Sequence, residues 1–146
     1  MRRYQSVDIL MVDDDELDVE LFRRALNKNR IANRLVWARD GVEALEVLRG
    51  QGAESIELPA IIILDINMPR MNGLEFLDAM RADPELKTLT VFVLTTSQDD
   101  RDIARAYQNN VAGYMVKSEL GESFAAGVGL LDHYWRVVEL PTDESA

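Results

Sequence analysis

The chain contains no cysteine. That removes disulfides, thiolate zinc sites and cysteine nucleophiles from the chemistry open to it. It has one histidine, His133, which reads as a surface or interface residue rather than a phosphotransfer group. No apolar run approaches the roughly 18 residues of a membrane span. The opening Met1-Arg2-Arg3-Tyr4-Gln5 leads into a short apolar stretch broken by Asp8, which is not a signal peptide. Basic residues are outnumbered, 16 Lys and Arg against 26 Asp and Glu, for a net charge of -10. This disfavours nucleic acid or an anionic membrane as the main partner. There is no Gly-x-x-x-x-Gly-Lys loop, and Gly127-Val128-Gly129 falls within a predicted helix without a third glycine. A soluble, cytoplasmic protein is expected.

What is present is one domain of 146 residues, 47% hydrophobic and 29% charged, enough for a full core. Its central stretch is Ala60-Ile61-Ile62-Ile63-Leu64-Asp65-Ile66-Asn67-Met68-Pro69. Unbroken aliphatics, mostly β-branched, predict a strand buried on both faces. Pro69 cannot continue a central strand, so Asp65 falls at its carboxyl end. There it could be a metal ligand, a nucleophile or a helix cap. Asn72 and Glu75 already supply a capping pair for the next helix, so a cap is not needed from Asp65.

The other strands are Val7 to Val12, Leu35 to Trp37, Thr90 to Thr95 and Ala112 to Val116. Helices alternate with them. The first runs to about Lys28 with Leu17, Leu21, Phe22, Ala25 and Leu26 on one face. The second opens with an Asp-x-x-Glu box at Asp40-Gly41-Val42-Glu43, and the third stops at Asp83-Pro84. The fourth is capped within Ser97-Gln98-Asp99-Asp100 and has only Ile103 and Tyr107 as large apolar anchors. An extended last helix spans about 121 to 140, and 141 to 146 form a polar tail. Five strands and five helices in this alternation imply an α/β fold, a five-stranded parallel sheet with helices on both faces, for which one common doubly wound order is 2-1-3-4-5.

In that order the ends of strands one and three are neighbours, so Asp13, Asp14 and Asp65 converge, with Thr95 and Lys117 ending strands four and five. Crowded carboxylates raise one another's pKa unless a cation intervenes. Hard oxygen donors suit Mg²⁺. Asp65 could then attack phosphorus, Lys117 could pair with phosphoryl oxygens and Thr95 could hydrogen-bond to one.

Val12-Asp13-Asp14, Leu64-Asp65 through Gly73, Leu94-Thr95-Thr96 and Gly113-Tyr114-Met115-Val116-Lys117 resemble the receiver domain of two-component response regulators, over roughly residues 7 to 140. The resemblance implies a flavodoxin-like fold and phosphorylation by a sensor histidine kinase, with Asp65 as phosphoacceptor. It implies that Asp14, Asp65 and the backbone carbonyl of Asn67 bind Mg²⁺ directly, and Asp13 through water. Thr95 and Tyr114 fall on the family's switch positions. Such a protein signals by phosphotransfer or protein contact rather than as an enzyme, beyond Mg²⁺-dependent self-phosphorylation from phosphodonors and autodephosphorylation. Leu94 to Ser97, Arg105-Ala106-Tyr107 and Tyr134 to Pro141 are similar to the single-domain regulators paired with bacterial phytochromes, which implies a red/far-red photoreceptor kinase and a homodimer.

In one place the pattern departs from the family: Lys117 is followed by Ser118 where Pro is usual, so a trans peptide is expected. The last helix also carries a second apolar stripe. Phe124, Val128, Leu131, Tyr134, Trp135 and Val138 are expected to form a dimer face. Trp37 and Trp135 read as packing residues. Two other readings compete: an unphosphorylated docking module, and a haloacid dehalogenase-type phosphatase whose Asp-x-Asp motif Asp13-Asp14-Asp15 imitates.

Overall fold

The computed structural model describes residues 7–28, 33–52 and 54–117, together with position 129. Its strands are β1 (Asp8–Val12), β2 (Leu35–Ala38), β3 (Ala60–Leu64), β4 (Thr90–Thr95) and β5 (Gly113–Val116). Its helices are α1 (Glu16–Lys28), α2 (Gly41–Leu48), α3 (Gly73–Ala82) and α4 (Asp100–Gln108). All strand pairs are parallel, in the order β2-β1-β3-β4-β5. This is the parallel α/β sheet expected from the alternation, in the flavodoxin-like form that the family resemblance implies. The last helix, including Phe124, Val128, Leu131, Tyr134, Trp135 and Val138, lies outside the described residues.

The sheet separates two apolar layers because successive side chains leave a strand on opposite faces. Leu10, Val12, Ile62, Leu64, Val91 and Val93 pack with Leu45, Leu48, Phe76, Leu77 and Met80 of α2 and α3. Ile9, Met11, Ile61, Ile63, Phe92 and Leu94 pack on the opposite side, with Val19, Phe22 and Leu26 of α1. Every residue of β1 and β3 is buried. Each large apolar side chain removed from water in this way contributes about 1.5–3 kcal/mol.

Helix ends follow local chemistry. Asn72 accepts from the Glu75 backbone N–H at 2.9 Å, and the Glu75 carboxylate accepts from the Asn72 N–H at 3.0 Å, the full capping box. Asp40 accepts from the Glu43 N–H at 2.9 Å. Asp99 caps α4, and Asp83 ends α3 just before Pro84.

Two helix faces differ from expectation. Leu17 is 65% exposed and Leu21 39%, while Val19 is buried. At about 100° per residue, Leu17 and Leu21 lie well off the direction shared by Val19, Phe22, Ala25 and Leu26. On α4, Tyr107 is 49% exposed and Ala106 is the buried side chain. Polar contacts attach this helix instead: Arg105 pairs with Asp78, Asn109 Nδ2 donates to Asp78 at 3.1 Å and Ser97 Oγ donates to Asp102 at 2.6 Å.

At the edge of the sheet away from the strand carboxyl ends, Arg81 of α3 knits the chain together. Its guanidinium donates to the carbonyls of Lys87, Leu89 and Asn109, each at 2.7 Å, and of Asn110 at 3.1 Å. Among the described residues no helix is long and apolar enough to cross a membrane.

Candidate functional site

The parallel ladder sets the site. Asp13 N–H donates to the Ala38 carbonyl at 3.0 Å and Asp65 N–H to the Val12 carbonyl at 2.8 Å. The two aspartates are therefore carried on adjacent strand ends by backbone that cannot shift without breaking the sheet. One carboxylate oxygen from each of Asp13, Asp14 and Asp65 lies within 4.8 Å of the others. Asp13 and Asp65 are buried and Asp14 is exposed, so the cluster opens to solvent on one side.

The turn after Asp65 depends on a glycine. Gly73 N–H donates to the Ile66 carbonyl at 2.8 Å. A Cβ on Gly73 would stand 2.3 Å from the Asp65 carbonyl oxygen and 2.8 Å from Ile66 Cα. Both are backbone atoms, so only glycine lets α3 start this close beneath Asp65. The exposed Asn67 lies in the loop so formed. Arg70, at φ 60, reaches from that loop to Asp40, Nε to Oδ2 at 2.7 Å and Nη2 to Oδ1 at 3.2 Å.

Lys117 enters from the end of β5. Its Nζ donates to Asp13 Oδ2 at 2.7 Å and to Asp18 Oδ2 at 2.5 Å, and lies 3.6 Å from Asp65 Oδ2. Ser118 lies outside the described residues; the Lys117 ammonium reaches the cluster. Burial alone would lower the ammonium's pKa, yet Asp13, Asp18 and Asp65 together hold it above its ordinary value. Burial pushes the Asp13 carboxyl up to about 6, against the hydrogen bond and charge of Lys117.

Asp65 Oδ1 is buried and has no hydrogen-bond partner among the described residues. A buried carboxylate oxygen without a donor is costly, and a divalent cation satisfies it. An open side at Asp14 leaves room for water ligands. The donor set, oxygens only, fits Mg²⁺.

Thr95 ends β4 fully buried, and its Oγ1 accepts from Ser97 N–H at 3.4 Å. The Tyr114 hydroxyl donates to the Ser97 carbonyl at 2.9 Å. Burial raises the Tyr114 pKa, so the phenol stays a donor. The two switch candidates thus meet at one residue of the loop leading into α4.

Asp15, by contrast, is spent on α1: its carboxylate accepts from Leu17 N–H at 2.9 Å. It is exposed and outside the cluster, so the Asp13-Asp14-Asp15 imitation of a phosphatase motif is not realised. Two contacts escaped sequence reasoning. Asp18 holds Lys117, and its spacing before Phe22 and Ala25 placed it near the inner stripe of α1. Trp37, read only as packing, donates Nε1–H to the Asp13 carbonyl at 2.7 Å, and Arg39 stacks over its ring at 4.8 Å.

Comparison with known proteins gives the same picture. The sequence profile of the response regulator receiver domain matches residues 9–126. The chain is 35% identical over 135 residues to response regulator Rcp1 of Synechocystis sp., covering 91% of this chain and 92% of that one. It is equally 35% identical, over 127 residues, to "Probable methanogenesis regulatory protein FilR2" of Methanothrix harundinacea, covering 87% and 82%. The crystal structure of the phosphorylated cyanobacterial phytochrome response regulator RcpA superposes with a TM-score of 0.82 at 32% identity, covering 94% of this chain and 99% of that one. The Mn²⁺-bound form of Rcp1 gives 0.81 at 33%, covering 93% and 99%.

Proposed function

The chain belongs to the response regulator receiver domain family, and from that premise we propose that it accepts a phosphoryl group on Asp65 from a sensor histidine kinase. The observation that carries this reading is the gathering of Asp13, Asp14 and Asp65 within 4.8 Å, with the Lys117 ammonium 3.6 Å from Asp65. An Asp65 carboxylate oxygen attacks phosphorus, an O–P bond forms, and the bond from phosphorus to the donor's imidazole nitrogen breaks. Lys117 pairs with the phosphoryl oxygens as a point charge, and the Thr95 hydroxyl donates to one of them.

Mg²⁺ would be held by Asp14, Asp65 and the Asn67 carbonyl, with Asp13 acting through water, and would neutralise charge on the transferring group. The Mn²⁺-bound form of Rcp1 supports a divalent site in this fold. Small phosphodonors serve in place of the kinase, and water later removes the group. Kinship with Rcp1 and RcpA supports a bacterial phytochrome as the kinase and a cytoplasmic, protein-contact or relay role. A homodimer through Phe124, Val128, Leu131, Tyr134, Trp135 and Val138 belongs to the same reading.

Intact mass after incubation with acetyl phosphate and Mg²⁺ tests the core of it. One phosphoryl adduct is expected on the wild type, and none on Asp65→Asn or in EDTA. An adduct that survives Asp65→Asn would overturn the assignment.

A further inference from the structure

The Lys117 ammonium sits among three carboxylates, and one of them does not belong to the cation cluster. Asp13 and Asp65 do; Asp18, which holds Lys117 at 2.5 Å, does not. An acid in the first turn of a helix is favourable simply for the helix dipole, and in that role it can face solvent. Asp18 instead has a side chain only 21% exposed, turned onto a lysine from the far end of the sheet. Residues 99 positions apart in the chain meet here.

This matters because Lys117 and a divalent ion draw on the same group. An ammonium has three N–H donors. One goes to Asp13 Oδ2 at 2.7 Å and one to Asp18, which leaves the third facing Asp65 Oδ2 at 3.6 Å. A cation in the cluster would draw on Asp13 and repel the ammonium as a like charge. Asp18 stands outside that competition. We propose that Asp18 is the positioning residue that keeps Lys117 beside Asp65 when a divalent cation occupies the cluster, so that one small site can hold two cations at once. The proposal rests on the reading of the site given above.

The ammonium ¹⁵N–¹H signal of Lys117, assigned by its loss in Lys117→Met, reads this tether apart from phosphorylation. In the wild type the signal persists with and without saturating Mg²⁺. In Asp18→Asn it persists without Mg²⁺, where Asp13 still holds the ammonium, and is lost to exchange when Mg²⁺ is added. Asp18→Glu retains it in both conditions. With acetyl phosphate and saturating Mg²⁺, Asp18→Asn is phosphorylated about tenfold more slowly, and adds less than about twofold to the loss in Lys117→Met.

A signal that survives Mg²⁺ in Asp18→Asn, or an equal rate loss in both backgrounds, overturns the tether. A wild type that gains no adduct but keeps its signal in Mg²⁺, while Asp18→Asn loses it, overturns the phosphoacceptor reading and supports the tether. A wild type whose Lys117 signal is itself lost when Mg²⁺ is added overturns the tether, whatever the adduct shows.

Discussion

Arg70 grips Asp40 across the top of the molecule with both ends of its guanidinium, at 2.7 and 3.2 Å. Asp40 is the N-cap of α2, and Arg70 belongs to the loop that carries Asn67. The pair therefore ties the loop after Asp65 to a neighbouring helix start. Burial would raise the Asp40 pKa, but hydrogen bonds from Arg70 and the Glu43 N–H outweigh it and hold the carboxyl below the usual range. A depressed carboxyl contributes stability above its unfolded value of about 3.9 and loses it as pH falls through the folded value. Arg70→Gln is expected to unfold at lower urea than wild type at pH 7, with the gap narrowing as pH falls below about 4. A gap that is unchanged at pH 3 would assign the loss to packing instead.

Gly73→Ala and Gly50→Ala make a pair with opposite expectations. At Gly73 the added methyl meets backbone 2.3 Å away, so the cost is about 3 kcal/mol, the upper end for overpacking. At Gly50, with φ +69 and open space around it, only the left-handed backbone is penalised, by about 1 kcal/mol. Because the Gly73 clash displaces the Asp65 carbonyl, Mg²⁺ affinity should also fall there and stay unchanged in Gly50→Ala. Calorimetric titration with Mg²⁺ and urea unfolding check both parts.

Mg²⁺ and protons should compete at Asp13. With the carboxyl pushed up to about 6, Mg²⁺ affinity falls as pH drops below that value. In the absence of metal the sign for stability is the reverse of the Asp40 case. The folded state holds the Asp13 proton more tightly, so this group's contribution shrinks as pH rises from about 4 to 6. At a hundredfold excess over Kd, Mg²⁺ adds about 2.7 kcal/mol. Thermal unfolding with and without Mg²⁺ should show that gain at pH 7.5 and much less at pH 5. Trp37, bonded to the Asp13 carbonyl, should report binding by fluorescence in a Trp135→Phe background.

Arg81 serves four carbonyls at once. Arg81→Met strands them and should cost about 3 kcal/mol, since bonds to charged groups contribute about 1.5–3 each but water reaches the outer ones. Arg81→Lys should recover less than half of that, because a point ammonium cannot span the fork. Urea midpoints for the three proteins decide it, and full recovery by lysine would contradict the geometry.

Much of this was legible from residue order. The Ile61-Ile62-Ile63 run announces a strand buried on both faces, and Asp13, Asp65, Thr95 and Lys117 each stand where such a run stops. Parallel order then brings them to one edge. The Asn72 and Glu75 box is local chemistry, and local chemistry survives folding. Other features depend on where elements pack. Leu17 and Leu21 were read inward from their hydrophobicity, yet helical phase turns them outward. Tyr107 is the same case on α4, where Ala106 takes the buried place. Asp18 with Lys117, Arg70 with Asp40 and Trp37 with the Asp13 carbonyl join distant segments, and no spacing rule encodes them.

The attachment of α4 has a consequence for how the protein responds to its medium. Its buried side chain is a single alanine, while Arg105 pairs with Asp78 at two half-open surfaces, 44% and 51% exposed. Ion pairs of that exposure are screened over about 8 Å at physiological ionic strength and weaken further as salt rises, whereas apolar burial does not. The seating of α4 is therefore set by dissolved electrolyte as well as by the chain, and the helix beside Thr95 and Ser97 is tunable by ionic strength while the sheet beneath it is not.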